Sequence, residues 1–122
     1  MKALLSIKPE YVDKIFSGEK GYEYRKTIFK QDVKTVVVYS TQPVRKIVGE
    51  FDIDRILVDC PEKIWEQTKD HSGVNEDFFL QYFSGRDKGY AIKIGERTLY
   101  QEPLDPGKEF ESFTAPQSFK YI

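Results

Sequence analysis

Gly18-Glu19-Lys20-Gly21-Tyr22-Glu23-Tyr24-Arg25 sets a lysine, a glutamate and an arginine within eight residues. The stretch follows a predicted helix and opens a predicted strand. Opposite charges held this close form either an ion pair on a solvated sheet or a polar ligand site. Strand alternation puts Glu23 and Arg25 on one face and Tyr22 and Tyr24 on the other, which is assigned to the core. Lys20 shares the tyrosine parity. It joins the other two charges if Gly21 breaks the register or if its stem wraps around the sheet edge.

Upstream, Lys2 to Lys8 alternates as a strand, with Ala3, Leu5 and Ile7 on one face and Ser6 and Lys8 on the other. Pro9 suits the first turn of a helix whose apolar stripe is Tyr11, Val12, Ile15 and Phe16, and Gly18 stops it. Downstream, Asp32 to Lys34 reads as a turn, and Val36-Val37-Val38-Tyr39 as a strand buried on both faces. A long strand runs from Val44 to about Val58. Its apolar parity changes between Ile53 and Ile56, which predicts a bulge near Asp54 or Arg55. Pro61 opens a second helix with Ile64, Trp65 and Thr68 on one side. Asn75 caps a third, with Phe78, Phe79, Tyr82 and Phe83 assigned to the core. Gly89 to Ile94 is a strand, Leu99 and Tyr100 end a further one, and Pro103, Pro106 and Gly107 mark a loop. The tail from Ala115 to Ile122 alternates as a last short strand. Such an order predicts an α+β fold: a small, curled, mixed or antiparallel β-barrel with about three flanking helices.

The chain of 122 residues reads as one domain, residues 1–122. With 39% hydrophobic residues, eight Tyr and nine Phe, it has ample material for an aromatic core. A net charge of −1 excludes bulk electrostatic attraction to nucleic acid, so such a ligand needs a local basic cleft. Cys60 is the one cysteine. No internal disulfide or thiolate metal site can form, and a reducing, cytoplasmic setting is expected. The N-terminal apolar run is too short for a signal peptide or membrane span.

Ser6 and Lys8, on a polar strand face, and Ser40 and Thr41, at a strand end, are further ligand-binding candidates. Their bland readings are ordinary exposure and turn chemistry. His71 stands alone and suits a helix C-terminus. Cys60, before Pro61, has no base beside it and reads as a helix-entry residue. Asp52, Asp54, Asp59 and Glu62 form an acidic run without metal-ligand spacing. Neither a metal nor a cofactor is expected.

The ordered set of motifs resembles the ASCH domain family of the PUA-like superfamily, in its small single-domain prokaryotic or phage form. The resemblance rests on Ser6-Ile7-Lys8-Pro9, on Gly18-x-Lys20-x-x-Glu23-x-Arg25, and on Tyr39-Ser40-Thr41. It continues through Val48-Gly49-Glu50-Phe51, Tyr90-Ala91-Ile92 and Ala115-Pro116-Gln117-Ser118-Phe119. It implies a small barrel whose cleft is lined by the signature residues, with Gln117 and Ser118 joining them, and an association with RNA. It also implies a hydrolytic alternative, since family members include amidohydrolases acting on acylated cytidine nucleosides and members that cut RNA. The amidohydrolases carry a threonine nucleophile where Glu23 stands. A glutamate cannot act as an alkoxide, which turns the reading from catalysis toward binding, although Glu23 can serve water as a general base.

The expected function is therefore an RNA- or nucleotide-binding domain, regulatory in transcription or translation. In it Lys8, Lys20 and Arg25 meet phosphate or base acceptors, Glu23 orients Arg25, and Tyr39 or Phe119 offers a stacking platform. The alternatives are a small hydrolase using Lys20, Glu23 and Arg25, and a protein-interaction domain. No membrane partner is expected, and oligomeric state is left open.

Overall fold

A computed structural model describes residues 1–122. In chain order the elements are β1 (Lys2–Ile7), α1 (Pro9–Ser17), β2 (Tyr22–Arg25), β3 (Thr35–Ser40) and β4 (Lys46–Asp59). Then come α2 (Pro61–Thr68), a 3₁₀ turn (Lys69–His71), α3 (Glu76–Tyr82), β5 (Gly89–Leu104), α4 (Pro106–Glu109) and β6 (Phe119–Tyr121). One mixed six-stranded sheet has the order β2-β5-β4-β3-β1-β6. Only the β1–β3 pair is parallel. No helix is long and apolar enough to cross a membrane.

The sheet curls into a half-barrel. β2 and β1 lie four strand spacings apart, ~19 Å if the sheet were flat. Yet the Arg25 Nη2 of β2 donates to the Ser6 carbonyl of β1 at 3.0 Å. The curl follows from right-handed twist reinforced by bulges. Register shifts occur at Val38/Tyr39 in the β3–β4 pair, and at three places along β4–β5, one of them between Ile53 and Arg55. That last shift is the expected bulge. It lets Ile53 and Ile56, of opposite parity, pack on the same core cluster.

The inner face carries Ala3, Leu5, Ile7, Val36, Val38, Phe51, Ile92 and Ile94, and α1 closes it with Val12 and Ile15. A second cluster on the other face joins Tyr24 and Ala91 to Ile64 of α2 and to Phe79 and Phe83. A third packs Leu4, Val37, Tyr39 and Ile47 under Tyr100, Phe110 and Phe113. Two expectations change. The strands read as Gly89 to Ile94 and as ending at Tyr100 are one 16-residue strand, because β4 offers a continuous partner. The segment read as a loop at Pro106 and Gly107 holds a one-turn helix, capped by the Asp105 carboxylate accepting from Gly107 N–H at 2.9 Å.

Candidate functional site

β2 is a sheet edge, so a hollow beside it draws on both faces of the strand. A cleft of about 230 Å³ opens there between α1 and α3. Its floor includes Lys20, Glu23, Tyr24 and Arg25, and Ser6 and Lys8 close the β1 side. Its walls are aromatic: Tyr11 from α1, and Phe78, Phe79 and Tyr82 from α3.

Glu23 and Arg25 share a face, as parity requires, and form an ion pair at 3.1 Å with side chains only 10% and 13% exposed. Arg25 also holds the Ser6 carbonyl, so one guanidinium fixes the glutamate and bridges the open side of the curled sheet. Lys20 comes from the opposite face. Its ammonium lies 4.7 Å from the centre of the Tyr24 ring and 5.6 Å from that of Tyr11, and donates to the Ser72 carbonyl at 2.7 Å. Of the two routes open to Lys20, the edge position serves. It stays on Tyr24's side while the cleft reaches around the strand.

Lys20 is 2% exposed. Burial pulls its ammonium down to about 8, against the upward pull of the Glu23 carboxylate, with Lys14 adding to the depression. At pH 7 Lys20 therefore remains a cation, held by one carbonyl and two aromatic faces, with two of its three donors left for a ligand. Tyr24 is locked beneath it. The Thr68 hydroxyl donates to the Ile64 carbonyl at 2.7 Å, so the Tyr24 hydroxyl is the donor in its 2.7 Å bond to Thr68. Burial pushes the Tyr24 phenol up to about 12, and burial likewise raises Tyr11 and Tyr82, so the aromatic lining stays neutral.

The backbone that places Lys20 is equally determined. Gly21 N–H donates to the His71 carbonyl at 2.8 Å, its carbonyl accepts from Ile94 N–H at 2.9 Å, and Arg97 Nη2 donates to the Lys20 carbonyl at 3.1 Å. Gly73 roofs the lysine at φ +70°, and a Cβ there would lie 2.7 Å from Lys20 Cβ and Cγ. Gly73→Ala is expected to cost about 2–3 kcal/mol, left-handed strain plus displacement of the lysine stem. Gly18→Ala, at φ +89° with open space around it, carries only the strain, about 1 kcal/mol. Urea denaturation of both variants separates the two terms, and equal costs would show that the roof does not constrain Lys20.

Other expected site residues lie elsewhere. Ser40 is buried at the end of β3, and Thr41 enters a turn in which its carbonyl accepts from Val44 N–H at 3.0 Å. Gln117 and Ser118 precede β6 outside the cleft lining. The Ser6 hydroxyl is spent on the Pro116 carbonyl at 2.7 Å, so Ser6 serves the site through its own carbonyl. Tyr39 is buried under Phe113, and Phe119 packs edge-on against Phe29, so neither offers a stacking face. Phe79, Tyr82 and Phe83 join the second core cluster, as their helical spacing predicts, with Phe79 and Tyr82 also lining the cleft. Phe78, 39% exposed, lies outside that cluster and lines the cleft. No three His, Cys, Asp or Glu side chains converge as metal ligands.

Known proteins carry the same arrangement of elements. ASCH from Zymomonas mobilis superposes with a TM-score of 0.92 at 23% identity, over 99% of this chain and 87% of that one. An ASCH domain-containing ribonuclease of Zymomonas mobilis subsp. mobilis is 26% identical over 124 residues, 99% of this chain and 84% of that protein. Large ribosomal subunit protein uL22 of Ureaplasma parvum serovar 3 is 28% identical over 120 residues, 98% of this chain. The chain spans 38% of the length of that protein. The ASCH domain model matches residues 5–112, a span that includes the whole lining of the cleft. The chain belongs to the ASCH domain family.

Proposed function

We propose that the cleft binds single-stranded RNA by taking in one base. The observation that carries this reading is the buried Lys20 cation set against the Glu23–Arg25 pair under aromatic walls. RNA readers take splayed-out bases onto aromatic faces and read their edges with a few polar groups. A carboxylate beside cations suits an edge that offers a donor next to an acceptor. At about 230 Å³ the cleft falls below the roughly 300–1,000 Å³ of drug-sized sites, a fit to one nucleotide or less. Lys8, at the mouth, and Lys26, 4.7 Å from the centre of the Tyr82 ring, supply phosphate-facing charge that the near-neutral chain lacks overall. The RNA-cutting and ribosomal relatives are in keeping with this ligand. We place the activity in the cytoplasm, as a regulatory contact in transcription or translation.

Affinity for a short single-stranded RNA is expected to fall steeply with salt, as contacts to phosphate require. It is also expected to decline above pH 8, where Lys20 loses its proton. Lys20→Arg, which cannot deprotonate in this range, removes that decline. RNA binding that is indifferent to salt, or absent, would overturn the reading.

One observation favours a second reading, RNA cleavage. An ammonium near pKa 8 can give or take a proton close to neutrality. In a metal-free route the 2′-hydroxyl attacks the adjacent phosphorus and loses its proton to a base, Glu23. The 5′-oxygen leaves with a proton from Lys20, giving a 2′,3′-cyclic phosphate. Incubation with labelled RNA tests this, since intact strands after long incubation across pH 5–9, a range bracketing the relevant titrations, would leave binding alone.

A further inference from the structure

A second hollow of about 150 Å³ adjoins the cleft. The two share Tyr11, Val74 and Phe78, whose aromatic rings stand 5.8 Å apart between centres. Beyond that pair the lining changes from aromatic to polar, with Glu10, Lys14 and Asn75. Lys14 Nζ donates to the Gly73 carbonyl at 3.0 Å, and its contact with Glu19, at 3.8 Å, is exposed and weak. Asn75 spends its Oδ1 on Phe78 N–H at 2.8 Å, capping α3, which leaves both amide protons of its side chain as donors. The hollow therefore faces its occupant with ammonium and amide donors beside one carboxylate, a set suited to an acceptor-rich group.

Resting on the RNA reading above, we infer that this hollow is a second subsite, and that the ligand is two consecutive nucleotides of a strand rather than a free nucleoside. The first base enters the aromatic cleft over Lys20. The linking phosphodiester crosses the Tyr11–Phe78 saddle, and the neighbouring nucleotide meets Lys14 and Asn75. Because the hollows share a wall, joining two units costs little extra ordering, and the second contributes as a tethered ligand.

The test is calorimetric titration with nucleoside 3′-monophosphates, mixed-sequence dinucleotides and mixed-sequence tetranucleotides, against wild type, Lys14→Gln and Asn75→Asp. Aspartate keeps the helix cap and removes the amide donors. Dinucleotides are expected to bind wild type about tenfold or more tighter than mononucleotides, with tetranucleotides adding little. Each variant is expected to lose about fivefold for dinucleotides while mononucleotide affinity stays within about twofold. Equal mono- and dinucleotide affinities, unchanged in the variants, would overturn the second subsite and leave the single-base reading standing. No binding of any of these would remove the reading beneath it as well.

Discussion

Lys20→Met is expected to abolish RNA binding and yet yield a more stable protein at pH 7. The depression of the Lys20 ammonium from 10.5 to about 8 means that folding sets the cation in a place that disfavours it. At ~1.4 kcal/mol per unit this costs about 3 kcal/mol whenever Lys20 is charged. Methionine fills the same space without charge and returns about 1–2 kcal/mol of that as the Ser72 carbonyl loses its donor. The net gain is about 1–2 kcal/mol. Its pH dependence follows from the lowered folded value. Between about 8 and 10.5 the unfolded chain holds more protons on Lys20 than the folded one, so wild-type stability from this group rises with pH across that window. The advantage of Lys20→Met is therefore full below pH 8 and fades toward 10.5. Urea denaturation at pH 7 and at about pH 10 measures both ends of the window. A methionine variant less stable than wild type at pH 7 would show that the lysine is there for packing. A site that opposes stability is what a binding role predicts.

Arg25→Ala is expected to be the most destabilising single change in the site, by about 3 kcal/mol or more. It leaves the Glu23 carboxylate, 10% exposed, without its cation, and the Ser6 carbonyl without a donor. It also removes the link between β2 and β1, strands that are not neighbours in the sheet. Glu23→Gln combined with Arg25→Met removes both charges together and is expected to recover more than half of the loss, since a neutral pair carries no stranded ion. Thermal and chemical denaturation of the single and double variants give the coupling. A loss under about 1 kcal/mol for Arg25→Ala would place the pair among ordinary surface bridges.

Much of this site was legible in the octapeptide. Alternation alone put Glu23 with Arg25 and Lys20 with Tyr24, and the structure keeps both pairings. The change of parity after Ile53 announced the bulge that helps the sheet curl. Local patterns could not tell that β2 is an edge, and the edge is what lets both faces serve one cleft. Helical spacing likewise marks Phe78, Phe79, Tyr82 and Phe83 as one stripe. Only the docking of α3 beside that edge turns Phe78 out of the core cluster and brings Phe79 and Tyr82, which pack on it, to the cleft wall as well. The roof over Lys20 was also invisible, because Ser72 and Gly73 lie more than fifty residues along the chain. A glycine three residues before a helix is common, and nothing nearby in sequence hints that a lysine packs beneath it. Gln117 and Ser118 came only from the family resemblance, and the tail carrying them hangs on Ser6 through Pro116 on its way to β6.

An RNA-binding cleft beside β2 requires that RNA touch the protein there and nowhere on the opposite face. Titration of a short single-stranded RNA into isotopically labelled protein, followed by nuclear magnetic resonance, reads this directly. The predicted result is saturable shifts confined to the cleft and the hollow adjoining it, strongest at Tyr11, Lys20, Glu23 and Phe78 and absent from Tyr39, Phe113 and the far side of β4. Shifts centred on that opposite face, or none at the ring protons of Tyr11 and Phe78, would contradict it.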